Sequence, residues 1–213
     1  VTGEAKDTLL LSLIDISGSM ASEASTNEKD GETHGFSRLD LVKHSLKTII
    51  QSSNDKVELG LIPFSESAQV LMHPTKMIET EKSKASDLVD TLRATNTTNI
   101  WDALRLALEI SKNPTHSNKN IFILLFTDGV PNVNPPRGII TTMNRSLDKI
   151  NKSDDIPNVN FTINTFGFGY NLNSKLLESI SREGDGIYSF IPDASFVGTA
   201  FVNCLSNIKM SNV

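Results

Sequence analysis

The chain has 213 residues, 38% of them hydrophobic and 21% charged, with a formal net charge of -5. That length suffices for one core burying about 70% of the unfolded surface, and the acidic balance argues against nucleic acid or an anionic membrane as the main partner. No apolar run approaches the roughly 20 residues of a membrane span, none reads as a signal peptide, and the single cysteine, Cys204, rules out an internal disulfide.

The first predicted element is a strand over 8–15. Leu9 to Ile14 are almost unbroken apolar, the pattern of a strand buried on both faces in a parallel sheet. Residues 21–36 are polar and charged, with Glu23, Glu28, Asp30, Glu32 and His34, and read as a loop. Ser37-Arg38-Leu39-Asp40 has the form of a capping box, and Leu39, Val42, Leu46, Ile49 and Ile50 give helix 38–52 one apolar face. Lys56–Phe64 and Ser67–Met72 read as strands. The two residues between them cannot hold a crossover helix, so they should pair antiparallel.

Glu81–Arg93 reads as a polar helix with Ala85, Leu88, Val89 and Leu92 turned inward. After the small polar loop 94–99, Ile100, Ala103, Leu104, Ala107 and Leu108 recur at helical spacing. Ile121–Thr127 is a second doubly buried strand, ending in Asp128-Gly129. A Gly-, Pro- and Asn-rich loop leads to helix 138–151. Strand 159–168, helix 174–183, strand 186–191 and a closing helix 194–208 complete the chain. Cys204 falls on the apolar face of that last helix and reads as a buried small hydrophobe. The four histidines, His34, His44, His73 and His116, are expected on solvated surface. Strands alternating with helices predict a single α/β domain over 1–213, a doubly wound and mostly parallel sheet with right-handed crossovers.

Chemistry concentrates at two strand ends. Asp15-Ile16-Ser17-Gly18-Ser19 follows the first buried strand, and Asp128 follows the second. If the sheet order reverses between these strands, both carboxylates open into one crevice. The loop 95–99 brings Thr98 to the same edge. Asp15, Ser17, Ser19, Thr98 and Asp128 are all oxygen donors, a set suited to a small hard cation, Mg2+ or Mn2+. Asp and Ser after a strand are also ordinary turn and cap residues.

Three segments together, Asp15-Ile16-Ser17-Gly18-Ser19, Thr98-Asn99-Ile100-Trp101-Asp102-Ala103-Leu104 and Phe126-Thr127-Asp128-Gly129, resemble the metal-ion-dependent adhesion site of von Willebrand factor A (vWA) domains. Gly60-Leu61-Ile62-Pro63-Phe64-Ser65 is similar to another landmark of that family. The resemblance implies a six-stranded sheet in the order 3-2-1-4-5-6 with one antiparallel edge strand. It implies that Ser17, Ser19 and Thr98 hold Mg2+ or Mn2+, that Asp15 and Asp128 act mostly through bound waters, and that an acidic side chain of a partner protein fills the open position. The tail Phe166-Gly167-Phe168-Gly169-Tyr170 and Ile191-Pro192-Asp193-Ala194-Ser195-Phe196 is similar to vWA domains of larger modular proteins, some with Hint-type or ubiquitin-pathway modules. The long loop 21–36 departs from many members, and one of Glu23, Glu28 or Glu32 could plug the open position. Arg137 lies in the loop flanking the site and could pair with a ligand carboxylate.

Catalysis is the rival reading. A dehalogenase-type phosphatase needs a second Asp two residues after the first, and Ser17 stands there. No P-loop and no Gly-x-Ser-x-Gly elbow occurs. A structural domain with a relic site is the third reading. Asn96, Asn144, Asn151 and Asn160 head glycosylation sequons, two of them awkwardly placed, which leans towards an intracellular compartment; a monomeric domain is expected.

Overall fold

The computed structural model describes residues 7–23, 35–95, 97–152, 160–170, 172–192 and 196. Its centre is β1 (Thr8–Asp15), buried along its whole length. Parallel neighbours flank it on both sides: β2 (Val57–Phe64), with Asp15 opposite Phe64, and β4 (Asn120–Thr127), with Ile14 opposite Phe126. β5 (Asn160–Phe168) and β6 (Tyr188–Ile191) extend the sheet in parallel beyond β4, and β3 (Met72–Lys76) closes the other edge antiparallel to β2. The order is 3-2-1-4-5-6, as the resemblance implied. β2 and β3 lie to one side of β1 and β4 to β6 to the other, so the crevice at its carboxyl end lies at a topological switch point.

The alternation of side chains along β1 divides the core in two. Leu9, Leu11 and Leu13 face α3 (Ile100–Ser111), α4 (Ile139–Asn151) and α5 (Ser174–Glu183). Leu10 and Ile14 face α1 (Arg38–Ser52) and α2 (Glu79–Thr91). The capping box at the start of α1 is complete: Asp40 N–H donates to Ser37 Oγ at 3.1 Å and Ser37 N–H donates to Asp40 Oδ2 at 2.9 Å.

Three expectations shift. The antiparallel edge strand begins at Met72 rather than Ser67, because residues 65–71 turn over the end of β2 and the register slips between Leu59 and Leu61. The chain pairs there through an isolated bridge from Phe64 to Ala68, through Gln69 N–H on Pro63 O at 3.1 Å and through Leu71 N–H on Leu61 O at 2.9 Å. α2 starts two residues earlier than expected. Ile78 caps it without a side-chain bond, and Glu79 and Glu81 suit the positive end of the helix instead. His116 is not on the surface. A short 3-10 turn, Pro114–His116, leaves it 7% exposed beside Lys119 and Glu58, and burial, reinforced by Lys119, lowers its pKa. The closing helix 194–208 with Cys204, Glu28, Glu32, His34 and the sequon residue Asn96 lie outside the described residues. No helix among the described residues is long and apolar enough to cross a membrane.

Candidate metal centre

At the end of β1 the backbone turns sharply to save its polar groups. Ser17 N–H donates to Asp15 Oδ1 at 2.8 Å, an Asx-type turn, and a 3-10 turn over Gly18–Ala21 follows. Met20, fully buried, anchors that turn in the core beside Leu39 and Val42. Ser17 Oγ and Ser19 Oγ lie 3.2 Å apart.

β4 supplies the other wall. Thr127 Oγ1 donates to Asp15 Oδ2 at 2.5 Å and accepts from Gly129 N–H at 2.9 Å, so one hydroxyl ties the two strand ends together. Asp15 is fully buried. Burial pushes its carboxyl up to about 6; the bonds from Ser17 and Thr127 oppose the rise and the nearby charge of Asp128 adds to it.

Thr98 joins from a third direction. Thr95 bridges Ser17 in parallel and donates its N–H to Ile16 O. On the other side, Asn132 and Val133 donate backbone N–H groups to Thr98 O at 2.9 and 3.2 Å, and Thr98 N–H donates to Asn132 Oδ1 at 3.1 Å. Thr98 is buried between the loops carrying Ser17 and Asp128. Asn99, next in the chain, caps α3 through Asp102 N–H at 3.2 Å and donates its own N–H to Ser65 O at 2.7 Å. Asp102 in turn accepts from Ala68 N–H at 2.8 Å, so the Phe64-Ser65 landmark buttresses the Thr98 loop.

Asp128 holds the most informative atoms. Its Oδ2 pairs with Arg38 Nη1 at 3.0 Å, with side-chain exposures of 3% and 13%. Its Oδ1 is buried with no hydrogen-bond partner. A buried carboxylate oxygen left unsatisfied is costly unless something positive reaches it. The residue types fit a hard cation: hydroxyls and two carboxylates, all oxygen. Among the described residues no group of three or more His, Cys, Asp or Glu side chains is placed to hold a metal by a different donor set.

Asp15, Ser17, Ser19 and Asp128 thus lie at or just beyond the adjacent ends of β1 and β4, and Thr98 is held beside them through its backbone. Glu23 is exposed and its backbone bridges Ser37. Arg137 is exposed on the flanking loop. Sequence reasoning missed Arg38 and Thr127. Arg38 carried a readable signal: it opens a helix, where a cation meets the positive end of the backbone dipole and needs an acid elsewhere to justify it.

The raised Asp15 pKa has a measurable consequence. Between its ordinary 3.8 and about 6 the folded carboxyl keeps a proton that the unfolded chain has released. Folding takes up that proton, so this group's contribution to stability falls as pH rises through the window, by on the order of 3 kcal/mol. Asp40 and Asp102, with lowered pKa values, pull the other way, losing stability as pH falls. In EDTA, the difference in melting temperature between wild type and Asp15→Asn should thus swing against the wild type from about pH 4 to pH 7. Parallel melting profiles would remove Asp15 as the source.

The sequence matches the model of a family described as the von Willebrand factor type A domain over residues 10–130. No curated protein matches it. Among solved structures it is similar to the PilB minor pilin from Streptococcus sanguinis (TM-score 0.73, 16% identity, covering 100% of this chain and 63% of that one). It is also similar to a von Willebrand factor type A structure from Catenulispora acidiphila (0.70, 20%, 92% and 41%) and to the conserved hypothetical protein BatB from Bacteroides thetaiotaomicron (0.67, 16%, 95% and 98%). The chain thus spans less than half of the Catenulispora structure and under two thirds of PilB.

Proposed function

From the premise that the chain belongs to the von Willebrand factor type A domain family, we propose that it binds Mg2+ or Mn2+ at the crevice and captures an acidic side chain of a partner protein there. Domains of this family generally mediate protein interactions and often bind a metal ion. Ser17, Ser19 and Thr98 would hold the cation through their hydroxyls, with Asp15 and Asp128 behind them. The cation would supply local positive charge and a position open to a partner's carboxylate.

The observation that carries this reading is the unpartnered Asp128 Oδ1, buried close to the Asp15 carboxylate. A chain of net charge -5 has little else with which to attract an acidic ligand. Neutral hydroxyls leave most of a cation's charge uncompensated, which favours an added anion. We read the domain as one module of a larger protein, in keeping with its partial coverage of PilB and the Catenulispora structure.

Two measurements test the proposal. Mg2+ at 100 times its dissociation constant should stabilise the fold by about 2.7 kcal/mol, raising the melting temperature by roughly 5–10 °C in a domain of this size. EDTA should reverse the rise. A pull-down with and without EDTA, beside Asp128→Ala, should lose the same partner bands in both controls. No melting shift at millimolar Mg2+ or Mn2+ would end the metal reading.

A further inference from the structure

We propose that Arg38 is a built-in counter-cation of this centre: it neutralises Asp128 from behind and holds down the affinity for a divalent ion. The inference rests on the metal reading above and adds a residue that none of the matched motifs contains.

Arg38 has no local reason to be where it is. Ser37 and Asp40 already cap α1, and the first helical turn disfavours a cation. Its side chain instead runs inward, past Gly169, to Asp128 Oδ2 at 3.0 Å. The passage is tight. A Cβ on residue 169 would lie 2.7 Å from Arg38 Nε, and Gly169 also has φ +79°, a conformation other residues rarely adopt. Arg38 Nε is buried without a hydrogen-bond partner. Asp128 is therefore the anchor of this guanidinium, and the cost of burying it falls on that single contact.

The carboxylate is split between two tasks. One oxygen bonds Arg38 and the other has no partner. Any ion that draws on Asp128 must share it with a guanidinium, which withdraws negative charge through a charge-assisted bond and repels a second cation. Both effects weaken metal binding and neither moves an oxygen donor. An arriving carboxylate adds the missing negative charge, so the ion and an acidic ligand should each tighten the other. Arg38 is also joined to the hydroxyl-bearing loop, through its N–H on Ser22 O at 3.0 Å. The test should therefore remove charge and leave the helix start in place.

Mn2+ binding to the purified chain, followed by the electron paramagnetic resonance of free Mn2+, provides that test. Arg38→Gln and Arg38→Met should each bind Mn2+ at least about tenfold more tightly than wild type, while Arg38→Lys stays near it. The Met variant fills the same channel without needing a partner, so it stands in if the Gln variant does not fold. Equal or weaker binding in the folded uncharged variant overturns the role of Arg38 and leaves the metal reading in place. No Mn2+ binding at millimolar concentration by any of the proteins overturns both.

Discussion

Alanine at both Ser17 and Ser19 is expected to leave the fold standing and to remove divalent-cation binding. The two hydroxyls lie within hydrogen-bonding distance of each other, 3.2 Å apart, so deleting both orphans neither, and buried Asp15 loses the Ser17 hydroxyl but keeps Thr127 Oγ1 and Ser17 N–H. The turn they sit on is held by other atoms: Ser17 N–H on Asp15 Oδ1, Met20 N–H on Ser17 O at 3.0 Å, and the buried Met20 side chain. Stability should therefore fall by no more than about 3 kcal/mol. Metal affinity loses two oxygen donors and should fall at least about 100-fold, beyond the loss typical of supporting residues. Urea unfolding and Mn2+ titration on the same preparation separate the effects. A double variant that still binds Mn2+ as wild type does would show that the hydroxyls are turn formers only.

Gly186→Ala is expected to cost at least about 3 kcal/mol, in the range reserved for named structural lesions. A Cβ on Gly186 would lie 2.0 Å from Ile163 O and 2.6 Å from its carbonyl carbon, backbone atoms of β5 that cannot step aside. Gly184 packs on the same residue, its Cβ position 2.5 Å from that of Ile163. Two glycines thus let the turn after α5 close onto the sheet, where Ile187 N–H reaches Asn164 Oδ1 at 3.0 Å. Gly138→Ala is the matched control. It has φ +77° and ψ 159°, a region essentially reserved for glycine, and nothing within 4 Å of the new methyl, so only the backbone preference is lost, about 1–3 kcal/mol. A shift in urea midpoint no larger for Gly186 than for Gly138 would refute the steric account.

The strands and most helices were legible because burial imposes a period. β1 and β4 read as unbroken apolar runs since both faces are covered, α1 from its capping box and apolar face, and α3 from its apolar spacing. The edge strand did not, because residues 65–71 are fixed by a register slip and by Asp102 reaching back to Ala68, contacts made thirty residues away in the chain. α2 was misplaced because its N-cap is an isoleucine, which carries no capping signal. His116 looked like surface since nothing local announces that Lys119 and Glu58 enclose it. At the crevice, Asp15 and Asp128 were readable as strand ends. The partnership of Asp128 with Arg38, ninety positions apart in sequence, exists only in three dimensions.

The bridge between Glu23 and Ser37, with Arg38 N–H on Ser22 O, draws the exit and return of one chain excursion to the same spot beside the Ser19 turn. Such a clasp ties the start of α1 to the Ser19 turn through backbone groups alone. The exposed side chain of Glu23 is therefore a natural port for a fluorophore, mounted next to the crevice without loosening that clasp.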